Sequence, residues 1–145
     1  MGDISKNAVT IEAAITDVAA VLSDLAGYPS WSTAIKSVEV QEKDSAGRAT
    51  KAKMSIDAGV MKDRVTLDYD WSKAPTQITF SLDDADLLTE MTGAYNLKDN
   101  GDDTTTVEYE LTVALSMPVP AMMRQKAERS TIDLALNQLK TKLES

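Results

Sequence analysis

Histidine and cysteine are both absent from the 145 residues. That removes the usual general base, the Ser-His-Asp triad, thiolate nucleophiles, disulfides and the commonest metal ligands. Chemistry must come from carboxylates, lysines, arginines, tyrosines or hydroxyls. Asp83-Asp84-Ala85-Asp86 is dense in carboxylates but lacks the ligand spacing of a calcium loop and its closing Glu, so it reads as a solvated turn. Asp99, Asp102 and Asp103 surround Asn100-Gly101, a strong hairpin signal, and read as a turn too. Glu108 and Glu110 share the wet strand face of Thr106 and Thr112, which argues against paired acid/base work.

Glu128 and the tyrosines are different. Glu128 falls inside the apolar arc of a long helix, between Ile132 and Thr131 on a helical wheel. A carboxylate there must reach water, find a cation or line a wet cavity. The plain alternative is an arc wider than the real contact, with Glu128 solvated. Tyr69, Tyr95 and Tyr109 point inward by strand parity, and a buried phenol needs a hydrogen-bond partner. Each reads either as core or as a polar mark on a pocket wall, and three together make a polar spot plausible.

The elements that position these residues follow from periodicity. Ile4 to Ile11 reads as a strand. Ala14 to Leu25 has helical spacing through Val18, Val21, Leu22 and Leu25, and Gly27 and Pro29 stop it. Period-2 alternation then takes over. Its inner positions are Val38 and Val40; Ala52, Met54, Ile56 and Ala58; Val65, Leu67, Tyr69 and Trp71; Ile78, Phe80 and Leu82; Met91, Gly93, Tyr95 and Leu97; and Val107, Tyr109, Leu111, Val113 and Leu115. One apolar face per strand is the pattern of an antiparallel sheet covered on one side. Cross-strand charge pairing sets Lys51 opposite Asp70, Lys53 opposite Asp68 and Asp57 opposite Arg64, with Met54 by Leu67 and Ile56 by Val65. A two-residue slip would keep the faces. Met117-Pro118-Val119-Pro120 breaks the pattern, and Ala121 to Leu143 reads as a helix with a wide apolar arc through Ala127, Leu134, Thr131, Ala135, Leu139, Ile132 and Leu136.

Composition bounds the rest. The length fits one domain over residues 1–145 and suffices for a core without staples. A net charge of −8 disfavours nucleic acid and anionic membrane surfaces. The longest apolar run, Val18 to Leu22, is too short to span a bilayer, and no secretory signal opens the chain. Met1-Gly2 hints at myristoylation, but Lys6 stands where Ser or Thr is wanted. A cytoplasmic protein without cofactor or metal is expected.

The two ends of the sheet differ. One collects Lys43 to Gly47, Ser72 to Pro75 and Lys98 to Asp103, which are ordinary polar turns. The other collects Gly59 to Lys62, Asp83 to Leu88, Ser116 to Met122 and Tyr28-Pro29-Ser30-Trp31, rich in Val, Met, Leu, Pro, Tyr and Trp. Apolar tips either cap the sheet and pack on the helices or line the mouth of a cavity between sheet and last helix. Met61, Met91, Met117, Met122 and Met123 fall on this end or the inner face, and Met suits surfaces that accept varied apolar partners.

The succession strand, helix, Asp24-Leu25-Ala26-Gly27-Tyr28-Pro29-Ser30-Trp31, six strands, proline break and long helix resembles a known family. It is similar to the bacterial branch of the START-like polyketide cyclase/dehydratase and lipid-transport (SRPBCC) superfamily, most clearly from Ile11 to Val38. The resemblance implies an α+β helix-grip (START/Bet v 1-like) fold in the order β-α-α-β-β-β-β-β-β-α. A curved seven-stranded antiparallel sheet would grip the C-terminal helix around an apolar cavity. Read with the loop composition, it names Tyr28, Trp31, Met54, Ile56, Met61, Leu67, Tyr69, Phe80, Leu88, Met91, Tyr95, Tyr109, Met122, Met123, Ala127, Glu128 and Thr131 as cavity and mouth residues. No position matches a catalytic pattern. The expected function is binding or transport of a hydrophobic small molecule: a lipid, an isoprenoid or quinone, or a polyketide-like compound. The alternatives are an aromatase/cyclase-type enzyme using Tyr95 and Glu128, and a protein-interaction module with a filled core.

Overall fold

The structure is a computed structural model that describes residues 5–57, 62–115 and 119–144. Among these residues the chain forms β1 (Ser5–Ile11), α1 (Ile15–Ser23), a 3-10 turn (Leu25–Ser30), β2 (Ile35–Lys43), β3 (Ala49–Asp57), β4 (Lys62–Asp70), β5 (Gln77–Ala85), β6 (Leu88–Asp99), β7 (Thr105–Leu115) and α2 (Ala121–Glu144). The strands make one antiparallel sheet in the order β1-β7-β6-β5-β4-β3-β2. It is a meander whose last strand returns beside the first. α2 packs on β1 and β7, on the inner face of a helix-grip arrangement.

Alternation in the sequence becomes alternation in burial. In β4, Asp63, Val65, Leu67 and Tyr69 are buried while Lys62, Arg64 and Asp70 are exposed. In β7, Thr105, Val107, Tyr109, Leu111 and Val113 face inward. Gly93 leaves room for an aromatic ring across the strand. A Cβ there would lie 2.2 Å from the tip of Phe80, its partner on β5. Only a residue without a side chain lets that ring lie flat across the strand.

Three expectations are corrected. The β3–β4 pairing is slipped by two: Lys51 faces Asp68, Lys53 faces Thr66, Ser55 faces Arg64 and Asp57 faces Lys62, with Met54 by Val65 and Ile56 by Asp63. The inward faces survive because strand side chains repeat every two residues. The observed register lets Lys51 reach Asp83 at 3.1 Å and both Asp68 and Glu42 at 3.6 Å. Asp83-Asp84-Ala85 is not loop. These residues end β5, where a register shift between Thr66 and Leu67 absorbs the extra residue. The turn that follows is held by a carboxylate the periodicity did not single out. Asp63 accepts from the backbone N–H groups of Arg64, Asp86, Leu87 and Leu88 at 2.8–3.2 Å. β2 runs from Ile35 to Lys43 and contains Val38 and Val40, as their alternation implies. Finally, α1 stops at Ser23, and the chain runs on as a 3-10 turn that contains Gly27 and Pro29 instead of ending at them. A 3-10 turn spares Pro29 the clash it would cause inside an α-helix.

The helix boundaries at the C-terminus match the pattern. The Pro120 carbonyl accepts from the N–H groups of Met123 and Arg124 and starts α2. Ile132, Leu136 and Leu139 are fully buried. At about 1.5–3 kcal/mol for each such side chain, they hold the second half of the helix to the sheet. Ile4, Met61 and Met117 lie outside the described residues. No helix among the described residues is long and apolar enough to cross a membrane.

Candidate functional site

Strand pairing places two tyrosines directly opposite each other. Tyr95 on β6 faces Tyr109 on β7, and their rings stack at 4.2 Å with 16° between planes. From Tyr109 an aromatic row continues along the inner face through Phe80, Tyr69 and Trp71, with centroid spacings of 6.4, 5.4 and 5.4 Å. Trp71 closes the row by donating from its indole nitrogen to the Ala49 carbonyl at 2.6 Å. A fourth tyrosine comes from the other side. The 3-10 turn carries Tyr28, whose hydroxyl donates to the Leu22 carbonyl at 2.6 Å and whose ring tilts against Trp31 at 5.0 Å.

Between these rings and α2 lies a cavity of about 50 Å³, lined by Tyr28, Trp31, Ser32, Ala34, Ile35, Ile56, Met91, Tyr95, Tyr109, Thr131 and Ala135. Its walls carry hydroxyls and apolar groups and no charged side chain. Burial pushes the hydroxyls of Tyr28, Tyr69, Tyr95 and Tyr109 above the ordinary phenol range. The phenols also oppose one another's ionisation. All four therefore stay protonated and act as neutral hydrogen-bonding groups.

Glu128 is fully buried, which overturns the reading of it as solvated. Its carboxylate accepts from Ser5 Oγ at 2.7 Å, from the Val113 N–H at 2.7 Å and from Arg124 Nη1 at 2.9 Å. Leu111 is the last β7 residue paired with the described part of β1, so Glu128 takes up a strand N–H two residues beyond that pairing. One carboxylate thus ties the first half of α2 to both β1 and β7. Both its oxygens are occupied, so it is not offered to a ligand.

The sequence-named residues divide three ways. Tyr28, Trp31, Ile56, Met91, Tyr95, Tyr109 and Thr131 line the cavity together. Met54, Leu67, Tyr69, Phe80 and Leu88 are buried behind it in the core. Ala127 and Glu128 sit a turn before Thr131 on α2, and Met122 and Met123 stand 82% and 64% exposed on its first turn, away from the cavity wall. Ser32, Ala34, Ile35 and Ala135 were not named. Ala135 lay in the apolar arc of the helix, but the three others fall between a turn and a strand, where no period marks them. No cluster of acidic residues able to hold a metal ion occurs among the described residues. Glu108 and Glu110 lie on the outer face, where both accept from the Asn96 amide.

Comparison with solved structures gives a START superfamily protein from Mycobacterium smegmatis at 22% identity and a TM-score of 0.91, covering 99% of this chain and 98% of that one. A protein from Thermus thermophilus aligns at 19% identity and a TM-score of 0.84, covering 98% and 97%. The Zhui aromatase/cyclase from Streptomyces sp. R1128 aligns at 15% and 0.76, covering 98% and 93%. These likenesses establish the fold. No curated protein matches the sequence. The family profile described as polyketide cyclase / dehydrase and lipid transport matches residues 4–144, and the chain belongs to that family.

Proposed function

We propose that residues 1–145 act as one helix-grip domain that binds a hydrophobic small molecule between the sheet, the 3-10 turn and α2. The observation that carries this reading is the cavity at Tyr28, Tyr95 and Tyr109, where an uncharged wall of rings and hydroxyls surrounds unfilled space. Family membership supports it. At about 50 Å³ the space holds only a few waters, well short of the roughly 300–1,000 Å³ of common ligand sites. A ligand must therefore displace side chains. Met91 and the half-buried Trp31 are the movable walls, since Met changes rotamer at little cost. Each ligand methylene buried there contributes about 0.8 kcal/mol. The enzyme alternative loses its acid/base pair, because Glu128 is committed to Ser5, Val113 and Arg124.

A second reading draws on two observations: the small volume, and the exposed Leu87, Met122 and Met123. On that reading the core is filled and the apolar end docks a protein. Native mass spectrometry of gently purified protein, with the denatured extract analysed for small molecules, separates the two. A reproducible hydrophobic compound in the extract supports binding. A clean apo mass, with no thermal shift across lipid, quinone and polyketide panels, moves the assignment to the interaction module.

A further inference from the structure

The polar end of the sheet holds a motif that the binding function does not use. Of Asn7, Asn96, Asn100 and Asn137, Asn100 alone is followed by glycine. That pair carries chemistry. A backbone nitrogen can attack the side-chain carbonyl carbon of the asparagine before it, and glycine leaves the approach clear of a Cβ. Asn100 and Gly101 stand exposed between β6 and β7, with Gly101 in the left-handed region at φ +82°. A Cβ built on Gly101 would meet nothing within 4 Å. The other asparagines lie in regular elements: Asn7 in β1, Asn96 in β6 and Asn137 in α2. After Asn96, the Leu97 N–H is tied to the Thr76 carbonyl at 2.8 Å.

Two features of the turn bear on the rate. The Gly101 N–H donates to Asp99 Oδ1 at 2.9 Å, so its proton has an acceptor beside it. Against this, the Asn100 amide is held. Its Nδ2 donates to the hydroxyls of Thr104 and Thr106, each at 3.1 Å. The attack needs the amide to turn toward Gly101 and its nitrogen to leave, and both hydroxyls keep that nitrogen in place.

We infer that Asn100 is a site of spontaneous covalent modification, deamidating through a cyclic imide at a rate set by the Thr104–Thr106 clamp. The Gly101 nitrogen forms a bond to Asn100 Cγ and gives its proton to Asp99 and on to water. The Cγ–Nδ2 bond breaks, and Nδ2 takes up a proton and leaves as ammonia. Water then opens the imide at either carbonyl. One product is aspartate. The other is isoaspartate, in which the main chain runs through the former side-chain carbons. Nothing is oxidised or reduced. Either product adds a negative charge beside Asp99, Asp102 and Asp103. Isoaspartate also lengthens the turn by a methylene, next to the Asp99–Thr105 pair that ends the β6–β7 ladder.

Incubating the full chain in warm, mildly alkaline buffer, below the ordinary phenol range, tests this by peptide mapping with chromatography and mass spectrometry. The amide-to-acid mass gain is expected first at Asn100, ahead of Asn7, Asn96 and Asn137, and as two peaks. Purified Asn100→Asp supplies the aspartyl reference, and the second peak is isoaspartate. Thr104→Val combined with Thr106→Val is expected to deamidate roughly fivefold faster or more, the worth of one neutral hydrogen bond. The unsubstituted chain unfolded in denaturant also lacks the clamp and should show a similar acceleration over the folded chain. That comparison needs no variant, so the inference stays testable if the double variant folds poorly. A first gain at another asparagine overturns the inference. A single aspartyl peak does so too, since it means direct hydrolysis without the imide. Equal rates in the folded and unfolded chain remove the clamp.

Discussion

Two regions of the inner face are equally hidden from water and differently built. One is aliphatic: Ile11, Val18, Leu22, Val107, Ile132, Leu136 and Leu139, drawn from β1, α1, β7 and α2, are essentially inaccessible. The other is aromatic: Tyr28, Tyr69, Tyr95 and Tyr109 bury their rings and must also satisfy four hydroxyls. The first contains nothing to hydrogen-bond and fills its space. The second keeps polar tips inside and leaves a void at Tyr95 and Tyr109. A core selected for stability alone would replace those phenols with well-packed hydrocarbon. The aliphatic region should therefore respond to truncation, and the aromatic one to anything that ionises a phenol.

The largest effect should come from alkaline pH, and only the aromatic region feels it. Every tyrosine in the chain is buried, and burial raises the pKa of each. A raised folded pKa means the native state keeps protons that the unfolded chain gives up. The contribution is thus fully present below the unfolded phenol pKa of about 10 and is lost as pH rises beyond it, at about 1.4 kcal/mol per pH unit for each phenol. Tyrosinate absorbance is expected to stay flat past the ordinary phenol range, then rise in one step with loss of near-ultraviolet circular dichroism. A single tyrosine titrating early, before unfolding, would place its ring outside the closed region and break the contrast.

Truncations probe the other side. Leu136→Ala removes a fully buried aliphatic side chain and should cost about 2–5 kcal/mol in denaturant unfolding, with no effect on ligand titrations. Glu128→Ala should cost a similar amount, about 3–5 kcal/mol, for an electrostatic reason: Arg124 and the Val113 N–H lose their acceptor. Glu128→Gln, which keeps an acceptor of the same shape, should recover part of the loss. If Glu128→Ala is harmless, the first half of α2 is not pinned by this carboxylate. Gly93→Ala should cost less, about 1–3 kcal/mol, by pushing Phe80 out of its place between Tyr69 and Tyr109. In a Phe80→Ala background the same substitution should be nearly neutral, and a full cost there would locate the strain elsewhere.

What could be read in the sequence follows the physics of each element. The inward parity of Tyr69, Tyr95 and Tyr109 was legible because a period of two leaves little freedom once one face is apolar. The length of α2 was legible from Pro120 and an uninterrupted helical stretch. The β3–β4 register was not, because a slip of two preserves every face and only the position of Lys51 among three carboxylates separates the alternatives. Asp63 lay on the inward parity of β4, yet its partners are backbone N–H groups of a turn more than twenty residues away, which no spacing rule reports. Glu128 was visible as an anomaly in an apolar arc. Its solution was not, because Ser5 and Val113 are brought to it by the returning pairing of β1 with β7. Seven of the named residues border a small void, and that void depends on side-chain packing that a linear pattern does not encode.

The smallest effect lies on the outer face, where Lys51 meets Asp83, Asp68 and Glu42. The hydrogen bond to Asp83, then the charges of Asp68 and Asp83, raise the Lys51 ammonium above its ordinary pKa. Its contribution is therefore present below the unfolded lysine pKa and lost as pH climbs through the raised folded value. Water surrounds this cluster, so salt screens it, unlike the pair at Glu128. Lys51→Met should lower the unfolding midpoint slightly in dilute buffer and not at all in molar salt. Arg124→Met, which strands Glu128 in the core, should stay destabilising in both. If the two variants respond alike to salt, the buried carboxylate is wetter than its surroundings imply, and the first half of α2 is held no more firmly than a surface ion pair.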